Sequence, residues 1–149
     1  QLPEDNPIIR MHSLQPGDEL TLAGKHIQVL PAAHPTPTVG YLLSDQNSSF
    51  AFTGDTGVNP QLWPVLNEKK PQLVIIDVSF TDDQGELARL SGHLTPSQLA
   101  QELTQFEHPA DIRITHLKPG NEDIIVARCH ELLPEWTLDR LHHDEIIEL

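Results

Sequence analysis

Asp55 lies in Phe52-Thr53-Gly54-Asp55-Thr56-Gly57, a carboxylate set between glycines directly after an apolar run. The glycines let the backbone turn sharply and come close to a ligand, so the carboxylate is placed for metal or phosphate chemistry. Alone, the run reads more readily as ordinary turn chemistry. Three histidines alter that balance. His34 precedes Pro35-Thr36-Pro37, His93 stands in Ser91-Gly92-His93-Leu94-Thr95, and His116 closes Ile114-Thr115-His116. These motifs lie at or just past predicted strand ends, where open α/β sheets gather their ligands. Neutral imidazoles with a carboxylate suit zinc, manganese or iron, and one carboxylate can bridge two ions.

Each residue also has a plainer role. His34 reads as well as a loop histidine before prolines. His116 ends an apolar strand, where its nitrogens need partners, so ligand and capped-core roles both stay open. His93, beside a glycine and a helix start, fits a general acid, a phosphate contact or a capping-loop residue. Asp77 closes Leu73-Val74-Ile75-Ile76 and either orients His93 or caps the strand's exit. His142-His143-Asp144 reads as a solvated run, because adjacent strand residues face opposite ways. Cys129-His130 reads as packing plus surface, and Asp82-Asp83 as an exposed loop.

The elements follow from the pattern. Glu19 to Ala23 and His26 to Leu30 form short alternating runs across a Gly24-Lys25 turn, a hairpin signature. Val39 to Ser44 and Ser49 to Thr53 make a second pair. Asn59-Pro60 then opens a short helix, Leu73 to Asp77 reads as a buried strand, and Thr95-Pro96 caps an amphipathic helix over Ser97 to Phe106. Asp111 to Thr115 is a strand, Glu122 to Leu133 a helix ended by Pro134, and Glu145 to Leu149 a final strand. Gln1 to Pro7 reads as an edge or linker. The fold class is α/β with a mixed sheet, helices covering one face and something else required on the other.

Composition narrows the partners. The chain has 149 residues, enough for one domain, with 9 Lys+Arg against 22 Asp+Glu and a net charge of -13. That acidity leaves no basic footprint for a nucleic-acid polymer. It suits divalent cations and small anions that meet the metal's charge. No run approaches the roughly 18 apolar residues of a membrane span. Cys129 is the single cysteine, so no internal disulfide forms. The start at Gln1 leads us to expect a soluble piece of a longer protein, cytoplasmic with the periplasm left open.

Taken in order, these runs resemble the second half of the metallo-β-lactamase fold, and among its members the class II cyclic-nucleotide phosphodiesterases. The Gly54-Asp55 turn resembles the family's bridging-aspartate motif. Ile75-Ile76-Asp77-Val78-Ser79-Phe80 is similar to its strand carrying an acid, a serine and an aromatic. His93-Leu94-Thr95-Pro96 and His116-Leu117-Lys118-Pro119 resemble its two later histidine motifs, and His34 with Val39-Gly40-Tyr41 the third.

The resemblance covers roughly residues 19 to 120 and implies half of an αββα sandwich. It implies two divalent metal ions, zinc foremost, with manganese or iron as alternatives. His34 would bind one ion, Asp55 bridge both and His116 bind the other, while His93 and Asp77 serve proton transfer. The implied reaction is hydrolysis of cAMP or cGMP to the 5′-monophosphate. Asp77 stands where the family usually has glutamate, and Val78 leans away from RNA processing. The family's His-x-His-x-Asp-His motif is absent from these residues. The chain is therefore expected to be a C-terminal half, inactive alone, whose uncovered sheet faces the missing half or a second copy. Other readings are a hydrolase of RNA ends or thioesters on the same fold, and a non-catalytic half-domain serving as a binding module.

Overall fold

In a computed structural model, residues 11–149 are described. The expected linker at 1–7 lies outside them. Among the described residues, seven strands form one sheet in sequential order: β1 (Glu19–Leu22), β2 (Lys25–Pro31), β3 (Val39–Ser44), β4 (Ser49–Phe52), β5 (Leu73–Asp77), β6 (Asp111–Thr115) and β7 (Leu138–Arg140). β1 to β4 pair antiparallel, and β4 to β7 pair parallel. The helices are α1 (Leu62–Lys69), α2 (Gly85–Ser91), α3 (Pro96–Leu103) and α4 (Glu122–Leu132).

The first hairpin turns at Ala23-Gly24, with Leu22 opposite Lys25, one residue earlier than the sequence suggested. Both turn residues have positive φ, 51° and 77°, the backbone that matches strand twist in a two-residue loop. The parallel half explains the layers. Right-handed crossovers between strands laid down in one direction put every connecting helix on the same face. Leu42, Ala51, Val74, Ile76, Ile112 and Ile114 therefore pack under Leu62, Trp63, Leu99 and Ile125 in one core.

Local signals set the helix starts. In α1, Pro64 falls in the first turn, where its missing N–H costs no hydrogen bond. α3 has a full capping box. The Thr95 side chain accepts from Gln98 N–H, the Gln98 side chain accepts from Thr95 N–H at 3.0 Å, and Pro96 stands at N1. The helix stops at Leu103, and Phe106 lies beyond it, stacked on Trp136.

Two expectations need correction. The last strand is Leu138–Arg140, not Glu145 to Leu149. Leu138 lies beside Ile112 with its side chain in the core, whereas Ile147 and Leu149 border a cleft with Leu43 and Phe50 rather than pairing with a strand. The tail instead reaches the helix-free face, where Glu145 meets Arg113 at 3.5 Å. Asp82-Asp83 begins a short 3-10 turn into α2, and Asp82 accepts from Ser97 N–H, Ser97 Oγ–H and Arg128 Nε–H at 2.7–2.9 Å.

Candidate metal and acid–base site

His34, Asp55, Asp77, His93 and His116 converge past the C-terminal ends of β2, β4, β5 and β6, with His93 in the α2–α3 loop. The loops carrying His34 and Asp55 are stitched together. Thr56 Oγ accepts from Ala33 N–H at 3.0 Å, and Gly57 N–H donates to Ala33 O at 2.9 Å. Gly54 turns the chain at φ 64°, and a Cβ there would stand 2.8 Å from Val39 O. Gly92 has φ 76°, and its Cβ would fall 3.0 Å from the Cα and Cδ2 of His34. A side chain at either glycine would push two of the loops apart.

Asp77 is the buried centre of the cluster. It is 0% exposed, Oδ2 lies 2.5 Å from His93 Nδ1 and accepts from Thr56 N–H at 3.2 Å, and Oδ1 accepts from Ser79 Oγ–H at 2.6 Å. The aspartate spans the gap to His93 despite being one methylene shorter than glutamate. An ionised Asp77 only accepts, so the proton of neutral His93 sits on Nδ1 and Nε2 is the nitrogen that exchanges protons. Ser79 commits its hydrogen to Asp77, which leaves its oxygen to accept from His116 Nδ1–H at 3.1 Å. His116 Nε2 is then free as a lone pair. These tautomers follow from the hydrogen-bond network.

The other two residues frame the cluster. His34 Nδ1 is surrounded by Thr36 Oγ1 at 2.9 Å, Thr38 Oγ1 at 3.3 Å and Thr36 N–H at 3.3 Å, which leaves Nε2 open. Asp55 is half exposed, and its Oδ1 lies 3.4 Å from His116 Nδ1. The His93 ring sits edge-on between the rings of His34 and His116, at 5.3 and 4.8 Å. His116 holds φ 63°, a left-handed backbone unusual for a non-glycine and a form of strain that gathers at functional sites.

A divalent ion needs two or more N or O donors that converge with little competition. His34, Asp55 and His93 have donor atoms within 4.8 Å of one another, as do Asp77, His93 and His116. Imidazole and carboxylate are the right donors for such an ion, and the first group fits one; in the second both Asp77 oxygens are already engaged by His93, Thr56 and Ser79. Asp55 belongs to the first group, and its Oδ1 lies 3.4 Å from His116 Nδ1, the proton-bearing nitrogen of a residue in the second. His93 belongs to both, so the geometry alone admits it as a ligand as well as an acid.

The remaining candidates fall elsewhere. His142, His143 and Asp144 are exposed. Cys129 is buried on α4, where burial, with Asp82 nearby, pushes its thiol up to about 12. Its neighbour His130 places Nε2 2.9 Å from Leu138 O. Sequence reasoning missed Ser79 and Thr56 as the residues that lock Asp77, although Ser79 lay two places along the same strand exit.

A family profile described as the Beta-lactamase superfamily domain matches residues 1–117. The chain belongs to the beta-lactamase superfamily. Among curated superfamily relatives, a Yersinia pestis protein named "Probable 3′,5′-cyclic-nucleotide phosphodiesterase" is 30% identical over 135 residues, covering 74% of this chain and 39% of its own length. Among solved structures, the metallo-beta-lactamase fold protein YhfI from Bacillus subtilis has a TM-score of 0.68 at 20% identity, over 80% of this chain and 47% of its own. Zinc-bound PqqB from Methylobacterium extorquens has a TM-score of 0.64 at 13% identity, over 87% and 53%. The mixed sheet with helices on one face is thus the metallo-β-lactamase fold, and the chain spans less than half of the curated relative it matches.

Proposed function

We propose that this chain is the C-terminal half of a metal-dependent phosphodiesterase that hydrolyses 3′,5′-cyclic nucleotides. The observation that carries this reading is the buried Asp77–His93 pair, 2.5 Å apart, opening onto Asp55 and His116. The identity to the Yersinia pestis relative supports the substrate. In this reading His34, Asp55 and His116 would be ligands to divalent ions, and a His-x-His-x-Asp-His motif in an N-terminal half would supply the others. Bound divalent ions supply positive charge against the phosphoryl oxygens and make water acidic enough to attack near neutral pH.

The chain's own residues handle the proton. Water gives its hydroxide to phosphorus and its remaining proton to solvent, from which His93 is recharged after each turnover; the P–O3′ bond breaks, and the departing O3′ needs a proton. Protonated His93 donates it from Nε2. Asp77 stabilises the charged imidazolium through Nδ1–H and fixes the ring's direction. Ser79 and Thr56 N–H hold Asp77 in turn, so the pair is positioned before substrate arrives.

The test uses the full-length protein carrying this chain, loaded with Zn²⁺ or Mn²⁺ and given cAMP and cGMP. The expected result is 5′-monophosphate, lost on chelation and restored by metal. Turnover of an RNA 3′ end or a thioester with neither cyclic nucleotide cleaved would overturn the substrate. No turnover of any of these would favour a non-catalytic half-domain. The 149 residues alone are expected to be inactive.

A further inference from the structure

Beside His34 and His93 the surface folds into a cleft of about 300 Å³ bordered by Ala33, Pro35, Val58, Arg89 and Gln98. Its charge is unusual for this molecule. Acids outnumber bases 22 to 9 along the chain, yet among the described residues none bordering the cleft is acidic. The polar wall is made of donors. Gln98 uses Oε1 to accept from Thr95 N–H in the capping box, which leaves its NH₂ as the group to offer. Arg89 is held by Glu86, one turn earlier on α2, through Nε at 3.1 Å and Nη2 at 2.7 Å. That pair is 62% and 72% exposed, a setting in which an ion pair is weak and easily exchanged.

We propose that Arg89, with the Gln98 NH₂, binds an anionic phosphoryl oxygen of the substrate beside the reacting centre, and that Glu86 is its resting partner. A guanidinium fork matches two phosphate oxygens as well as it matches a carboxylate, so a phosphate displaces Glu86 in kind. Pro35 and Val58 give the cleft carbon walls on which the rest of a small ester can lie. The identity of the anion rests on the phosphodiesterase reading, whereas the donor wall is a property of the cleft itself.

The experiment titrates the full-length protein with adenosine 5′-monophosphate and with inorganic phosphate by calorimetry, and measures KM and kcat for cAMP. The variants are Arg89→Ala, Arg89→Lys, Glu86→Gln and, as a control for bulk charge, Lys69→Ala in the last turn of α1, at the opposite end of the sheet. Arg89→Ala is expected to weaken both anions about tenfold or more and to raise KM more than it lowers kcat, as loss of a charge-assisted bidentate contact predicts. Arg89→Lys recovers part of this, Glu86→Gln binds both anions more tightly than wild type, and Lys69→Ala matches wild type. Arg89→Ala within twofold of wild type, or a loss that Lys69→Ala reproduces, overturns the proposal. So does a wild-type protein that binds neither anion. Arg89-dependent anion binding without cyclic-nucleotide turnover upholds the cleft and sinks the phosphodiesterase reading. Turnover that ignores Arg89→Ala does the reverse.

Discussion

A carboxylate with no exposed surface is costly unless hydrogen bonds replace its water, and Asp77 is engaged by His93, Ser79 and the Thr56 amide. That saturation makes it a sensitive point for chemistry. Asp77→Asn keeps the volume but turns one oxygen into an NH₂. If that NH₂ faces His93, Nδ1 becomes the acceptor and the ring proton moves to Nε2. If it faces Ser79, a donor meets a donor and the bridge to His116 breaks. In either orientation the acid–base histidine loses its fixed tautomer or its support. In the proposed enzyme we expect kcat to fall about a hundredfold or more, with the urea midpoint changed far less than activity. Steady-state kinetics and urea unfolding on the same preparation check this. An Asn variant with near wild-type kcat would remove Asp77 and His93 from the proton path.

At the level of elements, Asp82 joins three pieces of chain: the turn into α2, the first residues of α3 through Ser97, and α4 through Arg128. Burial works against its charge, but the two Ser97 donors and the Arg128 guanidinium outweigh that and hold the carboxyl below its ordinary value. A carboxylate lowered in the folded state adds stability that is complete above the unfolded-state pKa of about 3.9 and vanishes as pH falls through the folded value. Asp82→Asn is therefore expected to lower the urea midpoint at pH 7, with the gap from wild type closing towards pH 3. An equal gap at both pH values would mean the loss is packing, not charge. Asp82 also marks where sequence reading stopped. The strands β2 to β6 and the capped start of α3 were legible, because glycine, proline and N-cap residues act locally, whereas β7 was not; that His34, Asp55, His93 and His116 share one end of the sheet followed from their places at strand ends. Helix α2 was not, since it is seven residues long and its Gln84 N-cap makes no side-chain capping bond. The link from Ser79 to His116 spans 37 residues, and no local signal encodes it.

At the level of the molecule, among the described residues, the sheet has one face under helices and one without. Register places Val29, Tyr41, Phe52 and Ile75 in a single row on the helix-free face, with Leu43 and Phe50 in the next. Phe52 is 40% exposed and Tyr41, Leu43, Phe50 and Ile75 are half-buried, while Val29 at the row's edge is already buried. Among the described residues, the C-terminal stretch reaches this face, where Ile147 and Leu149 border a cleft with Leu43 and Phe50 and Glu145 meets Arg113. That cover is thin, because Ile146 is 87% and Leu149 48% exposed. A contiguous aromatic and aliphatic row of this kind is a surface that another sheet should cover. The 149 residues expressed alone should therefore self-associate as concentration rises and enhance the fluorescence of an apolar dye. Phe52→Arg places a charge in the middle of the row and should shift the chain towards monomer and cut the dye signal, while leaving the helix-side core intact. Sedimentation velocity across a concentration series reads the first effect, and dye titration the second. A chain that stays monomeric and dark to the dye at every concentration would mean the tail already seals the face, and the expectation of a missing or second sheet would fall with it.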